Sequence, residues 1–292
     1  MKCWRRWLQR CSLGLLTTTA LAAPLQRVEV PSLDPGPDGQ PLRLVGFWSP
    51  APTAQPAGAL LLLHGCGGPF ASAPPEAGPA PLSARMRSTT HRLNGWGWSV
   101  LVLDSLSARG ERELCTQPLG ARKLTQAQRR LDAWGGLAWL AQQPGVDAQR
   151  LGVLGWSHGG SSVLAVVAPP PALPRPPEVP APAFAVAYYP GCGEVLRSGR
   201  SAQVPLLLQL GGADDWTPAA PCLDWAKRAS DTATVEVVWH PGAHHGFDST
   251  APLRWRGDVP NGARPGQGVH VGGQAQALER SLQALQDWLA RF

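Results

Sequence analysis

Short apolar runs alternate with longer segments of helical spacing along most of the chain. The runs cover residues 42–47, 59–63, 99–103, 151–154, 183–189, 204–210 and 234–239. Several show no apolar/polar alternation, which predicts strands covered on both faces, as in a mostly parallel sheet with helical crossovers. Between them, Thr125-x-x-Gln128 has the form of a helix capping box. Leu131, Trp134, Ala138 and Ala141 then recur at helical spacing. Leu278, Leu282, Leu285 and Leu289 form one apolar stripe of a terminal helix. The Pro/Ala-rich stretch 168–183 excludes a helix and predicts an extended surface insertion. The glycine-rich stretch 254–273 predicts a loop.

The first 22 residues do not belong to this pattern. Lys2, Arg5, Arg6 and Arg10 form a basic region, Ser12 to Leu21 a short apolar run, and Ala20-Leu21-Ala22 a small-residue cleavage site. These are the marks of a signal peptide, and the run is too short to span a bilayer. Arg5-Arg6 resembles a twin-arginine signal only in that pair. Residues 23–292 are then expected as one exported domain, periplasmic or secreted, with no membrane span. Four of the 26 Lys+Arg and none of the 20 Asp+Glu leave with the leader, so 22 basic residues remain and the mature net charge is +2. No later basic run supports a nucleic-acid partner. Of six cysteines, Cys66, Cys115, Cys192 and Cys222 remain, an even set that predicts two disulfides in an oxidising compartment, with three connectivities open. Cysteine and histidine spacings offer no metal site, and no cofactor is expected.

The candidate chemistry begins at VLGWSHGG, 153–160. A short strand ends in a turn holding Ser157 between two glycines, and a helix follows. A nucleophile elbow has this form: the turn exposes the hydroxyl and the helix N-terminus favours developing negative charge. A serine nucleophile needs a base and the base an orienting acid. Asp214 and Asp215 follow the strand at 204–210, and His244 and His245 follow the strand at 234–239. The order Ser, Asp, His past successive strand ends is where open α/β sheets place their sites. In LLLHGCGG, 61–68, another strand runs into a His-Gly loop. The backbone N–H groups of Cys66 and His158 are the candidate oxyanion donors. Arg109, in the loop after the 99–103 strand, is a candidate substrate contact or a structural hydrogen-bonder. Trp156 and Trp216 flank the catalytic candidates and are candidate pocket walls.

LLLHGCGG, VLVLDSLSARG, VLGWSHGG, YYPGC, GGADDWTP and HPGAHHGF, in that order, resemble the dienelactone hydrolase family of the α/β-hydrolase superfamily. The resemblance implies an eight-stranded, mostly parallel sheet flanked by helices, with a catalytic triad at its C-terminal edge. It selects Asp214, four residues before Pro218, and His245, within Gly242 to Phe247. The family's namesakes carry cysteine where this chain has Ser157. The implied activity is a serine hydrolase of carboxylic esters or lactones, acting on a small-molecule substrate through an acyl-enzyme. A peptidase and a non-catalytic binding protein on the same scaffold are the alternatives. In the implied sheet the loops carrying Cys66 and Cys115 are neighbours, as are those of Cys192 and Cys222. Those two disulfides are therefore expected.

Overall fold

The computed structural model describes residues 25–36, 38–71, 81–229 and 233–292. The leader and its two cysteines lie outside the described residues. Ten strands and six α-helices are described in chain order. They are β1 (Gln26–Pro35), β2 (Pro41–Ser49), β3 (Ala57–Leu63), α1 (Ala84–Gly95), β4 (Ser99–Asp104), α2 (Gln126–Ala141), β5 (Val146–Trp156) and α3 (His158–Val167). There follow β6 (Phe184–Tyr188), α4 (Gly193–Ser198), β7 (Leu206–Gly211), α5 (Ala220–Ala229), β8 (Val235–His240), β9 (Arg254–Arg256), β10 (Val269–Val271) and α6 (Ala275–Leu289).

Eight strands form one sheet in the order β1-β2-β4-β3-β5-β6-β7-β8. The first two pairings are antiparallel and all pairings from β4 to β8 are parallel. The expected architecture is met. The unbroken apolar runs reflect burial on both faces: in β3, Leu61 and Leu63 join α2, α3 and α5 on one side, while Leu60 and Leu62 join α1 and α6 on the other. Burying such a leucine side chain contributes about 2 kcal/mol. The capping box of α2 is present in both directions, with Gln128 N–H donating to Thr125 Oγ1 and Thr125 N–H to Gln128 Oε1.

Local expectations change in three places. The edge strand β1 was not among the apolar runs. Its partly exposed, proline-bearing sequence alternates instead, as suits a strand paired only with β2. In 254–273, β9 and β10 pair antiparallel, Val269 opposite Arg256, so the segment is not all loop. The buried face of α6 consists of Ala277, Ser281, Leu285, Trp288 and Leu289, with Leu278 and Leu282 at its margin. Trp288 turns that face inward, its ring 5.6 Å from that of Phe292. The stretch 168–183 is irregular as expected, though Val179 is buried beneath it. The two expected disulfides, Cys66–Cys115 and Cys192–Cys222, form across 49 and 30 residues, although Cys222 lies in the first turn of α5 rather than in a loop. By chain entropy each stabilises by about 4 kcal/mol.

Arg109 is structural. Its guanidinium forks onto Asp132 (NH1 to Oδ2, 2.9 Å; NH2 to Oδ1, 2.8 Å) and reaches Asp34 Oδ2 at 2.7 Å. Burial disfavours its charge, but the bonds to Asp132 and Asp34 outweigh that and raise its pKa. The group ties α2 to the end of β1, and both of its terminal nitrogens are bonded within the protein. Arg109→Ala leaves the fully buried Asp132 carboxylate short of its cation. It should lower unfolding free energy by about 3 kcal/mol, read from urea unfolding, and Arg109→Lys, which cannot fork, should recover only part of it.

Candidate active site

Ser157 stands at the junction of β5 and α3 with φ 54° and ψ −118°, one of two described non-glycine residues with positive φ. The glycines around it show how such a backbone is held. A Cβ on Gly155 would lie 2.3 Å from Gly159 O, and one on Gly159 would lie 2.0 Å from Leu63 O. Strand, turn and helix are therefore in backbone contact, and the turn cannot relax outward. Ser157 N–H donates to Tyr188 O at 2.9 Å, which fixes the turn to the end of β6. Its side chain makes no cap bond to α3, so the hydroxyl is not spent on the helix.

Asp214 and His245 meet in the turns after β7 and β8. His245 Nδ1 lies 2.8 Å from Asp214 Oδ2, and both side chains are almost wholly buried. Trp216 N–H and Thr217 N–H donate to Asp214 Oδ1 at 2.9 and 2.8 Å, fixing the carboxylate and leaving Oδ2 to the ring. Thr217 Oγ1 lies 3.1 Å from both Oδ2 and Nδ1. The imidazole is packed between Tyr189 and Trp216, each 4.6 Å away by ring centres. The neighbouring residues of both doublets take another course: Asp215 binds His270 at 2.7 Å, and the ring of His244 lies 5.0 Å from that of His270. Burial raises the Asp215 pKa, but hydrogen bonds from the His270 side chain and backbone lower it more.

A cavity of about 580 Å³ opens above the elbow, lined by Ser157, His158, Cys66, Trp216 and Thr217 among others. Gly65 brings the loop after β3 against the elbow, where its Cβ would be 3.6 Å from that of Ser157. Among the described residues, neither the Cys66 nor the His158 N–H is bonded to a backbone carbonyl. Cys66 and His158, the residues expected to supply the oxyanion donors, both line the cavity. Trp156 does not. It is buried, its Nε1–H donates to Asp248 Oδ2 at 2.8 Å, and its ring stacks on Tyr188. The elbow turns the chain at the next residue, so Trp156 points into the layer below. Asp248 also accepts from Tyr189 O–H at 2.7 Å and pairs with Arg85, joining the ends of β5 and β6 to α1.

Arg129 escaped the sequence reading. Fully buried on α2, it donates to His64 O at 2.9 Å and to His158 Nδ1 at 2.8 Å. Burial lowers its pKa to about 10, opposed by Asp132 and Asp104, so it remains a cation at neutral pH. Burial and then the Arg129 charge hold His158 well below its ordinary pKa, and the same causes act on His64. Both imidazoles are neutral at pH 7. Because a guanidinium only donates, His158 Nδ1 accepts and its proton is on Nε2. One signal was available: Arg129 shares the face of Ala133 and Leu137, an inward stripe where a charge is out of place.

A family model described as the dienelactone hydrolase family matches residues 81–292. No curated protein matches the chain. Among solved structures, a Klebsiella pneumoniae protein, whose name assigns it provisionally to the dienelactone hydrolases, superposes with a TM-score of 0.64 at 16% identity, covering 92% of this chain and 100% of its own. Thermogutta terrifontis esterase 2, phosphoramylated by tabun, gives 0.61 at 17% identity, covering 94% and 97%. The dienelactone hydrolase-like promiscuous phosphotriesterase P91, from metagenomic libraries, gives 0.60 at 18%, covering 92% and 99%. At these identities the likeness establishes the fold.

The elbow's packing predicts its own sensitivity. Gly159→Ala must push α3 from β3 to clear Leu63 O. It should cost about 3 kcal/mol, visible as a lowered urea midpoint, whereas Gly120→Ala, with nothing within 4 Å of its Cβ, should not.

Proposed function

The chain belongs to the dienelactone hydrolase family, and on that premise we propose that it is an exported serine hydrolase of carboxylic esters or lactones. The reading is supported by one arrangement: a buried Asp214–His245 hydrogen bond packed against Trp216, which lines the same cavity as a serine held at positive φ on a strand-to-helix turn. Ser157 Oγ attacks the substrate carbonyl carbon as its proton passes to His245 Nε2. Asp214 holds the Nδ1–H tautomer and stabilises the imidazolium. The carbonyl oxygen, now negative, receives hydrogen bonds from the N–H groups of His158 and Cys66, with the N-terminus of α3 adding its dipole. Collapse breaks the C–O bond, and His245 returns the proton to the leaving alkoxide. Water then attacks the acyl-enzyme with His245 again as base, and the acid departs as Ser157 is restored.

The cavity suits a small substrate by size, and Trp216 supplies an apolar wall beside the base. Residues 1–22 act as the signal peptide and 23–292 form the mature single domain, with 168–183 as its proline-rich insertion. The two disulfides favour an oxidising compartment. Since a relative of this fold is described as phosphoramylated by tabun, an organophosphorus reagent is the natural probe for Ser157.

Ser157→Ala should lower ester turnover by several orders of magnitude and abolish fluorophosphonate labelling, with the fold retained by circular dichroism. Asp214→Asn and His245→Ala should each cost on the order of a thousandfold or more in kcat. Asp215→Asn and His244→Ala should cost far less. Activity of Ser157→Ala within tenfold of the parent would overturn the nucleophile, and a reversed order within either doublet would move the acid or base by one residue.

A further inference from the structure

The doublets Asp214-Asp215 and His244-His245 each give one member to the buried Asp214–His245 pair. The other two, Asp215 and His244, converge with His270 of β10. Each of these three offers one ligand atom, and all three atoms lie within 4.8 Å of one another. We propose that Asp215, His244 and His270 form a binding site for a divalent transition-metal ion of the zinc type, separate from the serine chemistry. It clamps the loops after β7 and β8 to the β9–β10 hairpin.

The donor set decides the class of ion. Two imidazoles and one carboxylate suit zinc and its neighbours, whereas magnesium and calcium favour oxygen ligands throughout. The carboxylate is already aimed: His270 N–H donates to Asp215 Oδ1 at 2.9 Å, leaving Oδ2 against the His270 ring. His244 brings a second indication, for its Nδ1 is buried with no hydrogen-bond partner among the described residues. A buried ring nitrogen without a partner is costly, and a ring turn that brings one imidazole nitrogen to a cation and the other to a polar neighbour removes that cost. A tetrahedral ion with bonds of about 2.0–2.1 Å holds its ligand atoms roughly 3.3 Å apart. The three donors therefore need only small shifts: Asp215 Oδ2 and His270 Nδ1, 2.7 Å apart, separate slightly and any wider pair draws in, within reach of side-chain rotation. Access is open, since the side chains of His270 and Asp215 are 41% and 33% exposed, and that side leaves the fourth position to water.

The site's place gives the ion a consequence. Asp215 and His244 adjoin Asp214 and His245 in the chain, and β10 meets the same loop, with Gly272 N–H donating to His245 O at 2.9 Å. Asn261 and Gly262, between β9 and β10, line the cavity. One ion would add a common anchor to the two turns and the cavity wall, which meet through hydrogen bonds among Asp215, Ala263, His270, His245 and Gly272.

The test uses the tag-free, oxidised chain carrying Ser157→Ala, so that binding is read independently of hydrolysis. After treatment with chelator, zinc is titrated by calorimetry and bound metal counted by mass spectrometry. One zinc per chain is expected. Excess zinc should raise Tm by roughly 5–10 °C, and cobalt in its place should show the intense visible bands of tetrahedral coordination. His270→Ala and the near-isosteric Asp215→Asn should each weaken zinc binding at least about a hundredfold. Circular dichroism identifies which variants are folded, and Asp215→Asn keeps the test decisive if His270→Ala does not fold. Absence of stoichiometric zinc binding, or binding unchanged in Asp215→Asn, overturns the site. Either result leaves Ser157 labelling in the unsubstituted chain untouched.

Discussion

The elbow depends on how closely three stretches of backbone approach one another. Gly155, at the end of β5, faces the carbonyl of Gly159, and Gly159 in turn faces the carbonyl of Leu63 in the neighbouring strand β3. A helix so near the sheet leaves the connecting residue no room for an ordinary turn, and Ser157 is driven to positive φ. Strain of this kind persists only where the surroundings over-determine it. Here the surroundings are the fully buried leucines of β3, the bond from Ser157 to Tyr188, and the helix α3 packed on the sheet. The hydrophobic pattern that makes the central strands thus also sets the geometry of a single hydroxyl.

Around that turn the protein buries charges, and their hydrogen bonds run to groups that position the cavity wall. Arg129 bridges the loop after β3 to the first residue of α3, the two places from which the candidate oxyanion donors come. Asp248 gathers Arg85, Trp156 and Tyr189, fixing the strand ends on either side of Ser157. Removing one partner of a buried pair commonly costs roughly 3–5 kcal/mol, because the remaining charge is left without solvent. These groups therefore act as directional fasteners beneath the cavity, a service that non-directional apolar packing cannot supply. The Cys66–Cys115 disulfide does the same for the loops after β3 and β4, where only a small apolar cluster is available, while Cys192–Cys222 links α5 to the start of α4 within the main core.

The central strands were legible because burial on both faces requires unbroken apolar runs, and a half-exposed helix or strand would break such runs with polar positions. Edge strand β1 was not, because one exposed flank and prolines at positions 31 and 35 erase that signature. Three-residue strands such as Arg254–Arg256 carry too few side chains to show a period. The site divided in a similar way. Ser157, Asp214 and His245 sit at local turns whose residues advertise them, and the cysteines follow from which strands are neighbours. Trp156 stands next to Ser157 but its side chain lies below the sharp turn, and Arg109, in the loop after β4, is drawn to Asp132 and Asp34. Arg129 was hidden for the opposite reason: it reaches the site from the middle of a helix 28 residues earlier in the chain than Ser157.

The two doublets show what sequence can and cannot say about adjacent residues. Successive side chains leaving a strand end diverge, so neighbours in a turn seldom serve one centre. Asp214 turns to His245 within the buried layer, and Asp215 turns outward to His270, 55 residues further along. His244 leaves the same way, toward the ring of His270. No spacing rule joins positions 215, 244 and 270, because their meeting is produced by the parallel order of β7 and β8 and by the hairpin folding back over both. The sheet topology that sets Asp214 beside His245 makes their neighbours meet as well. A second cluster on the outer side of the same turns is thus a geometric consequence of the first, and only the identity of residue 270 decides that it is rich in metal-ligating groups.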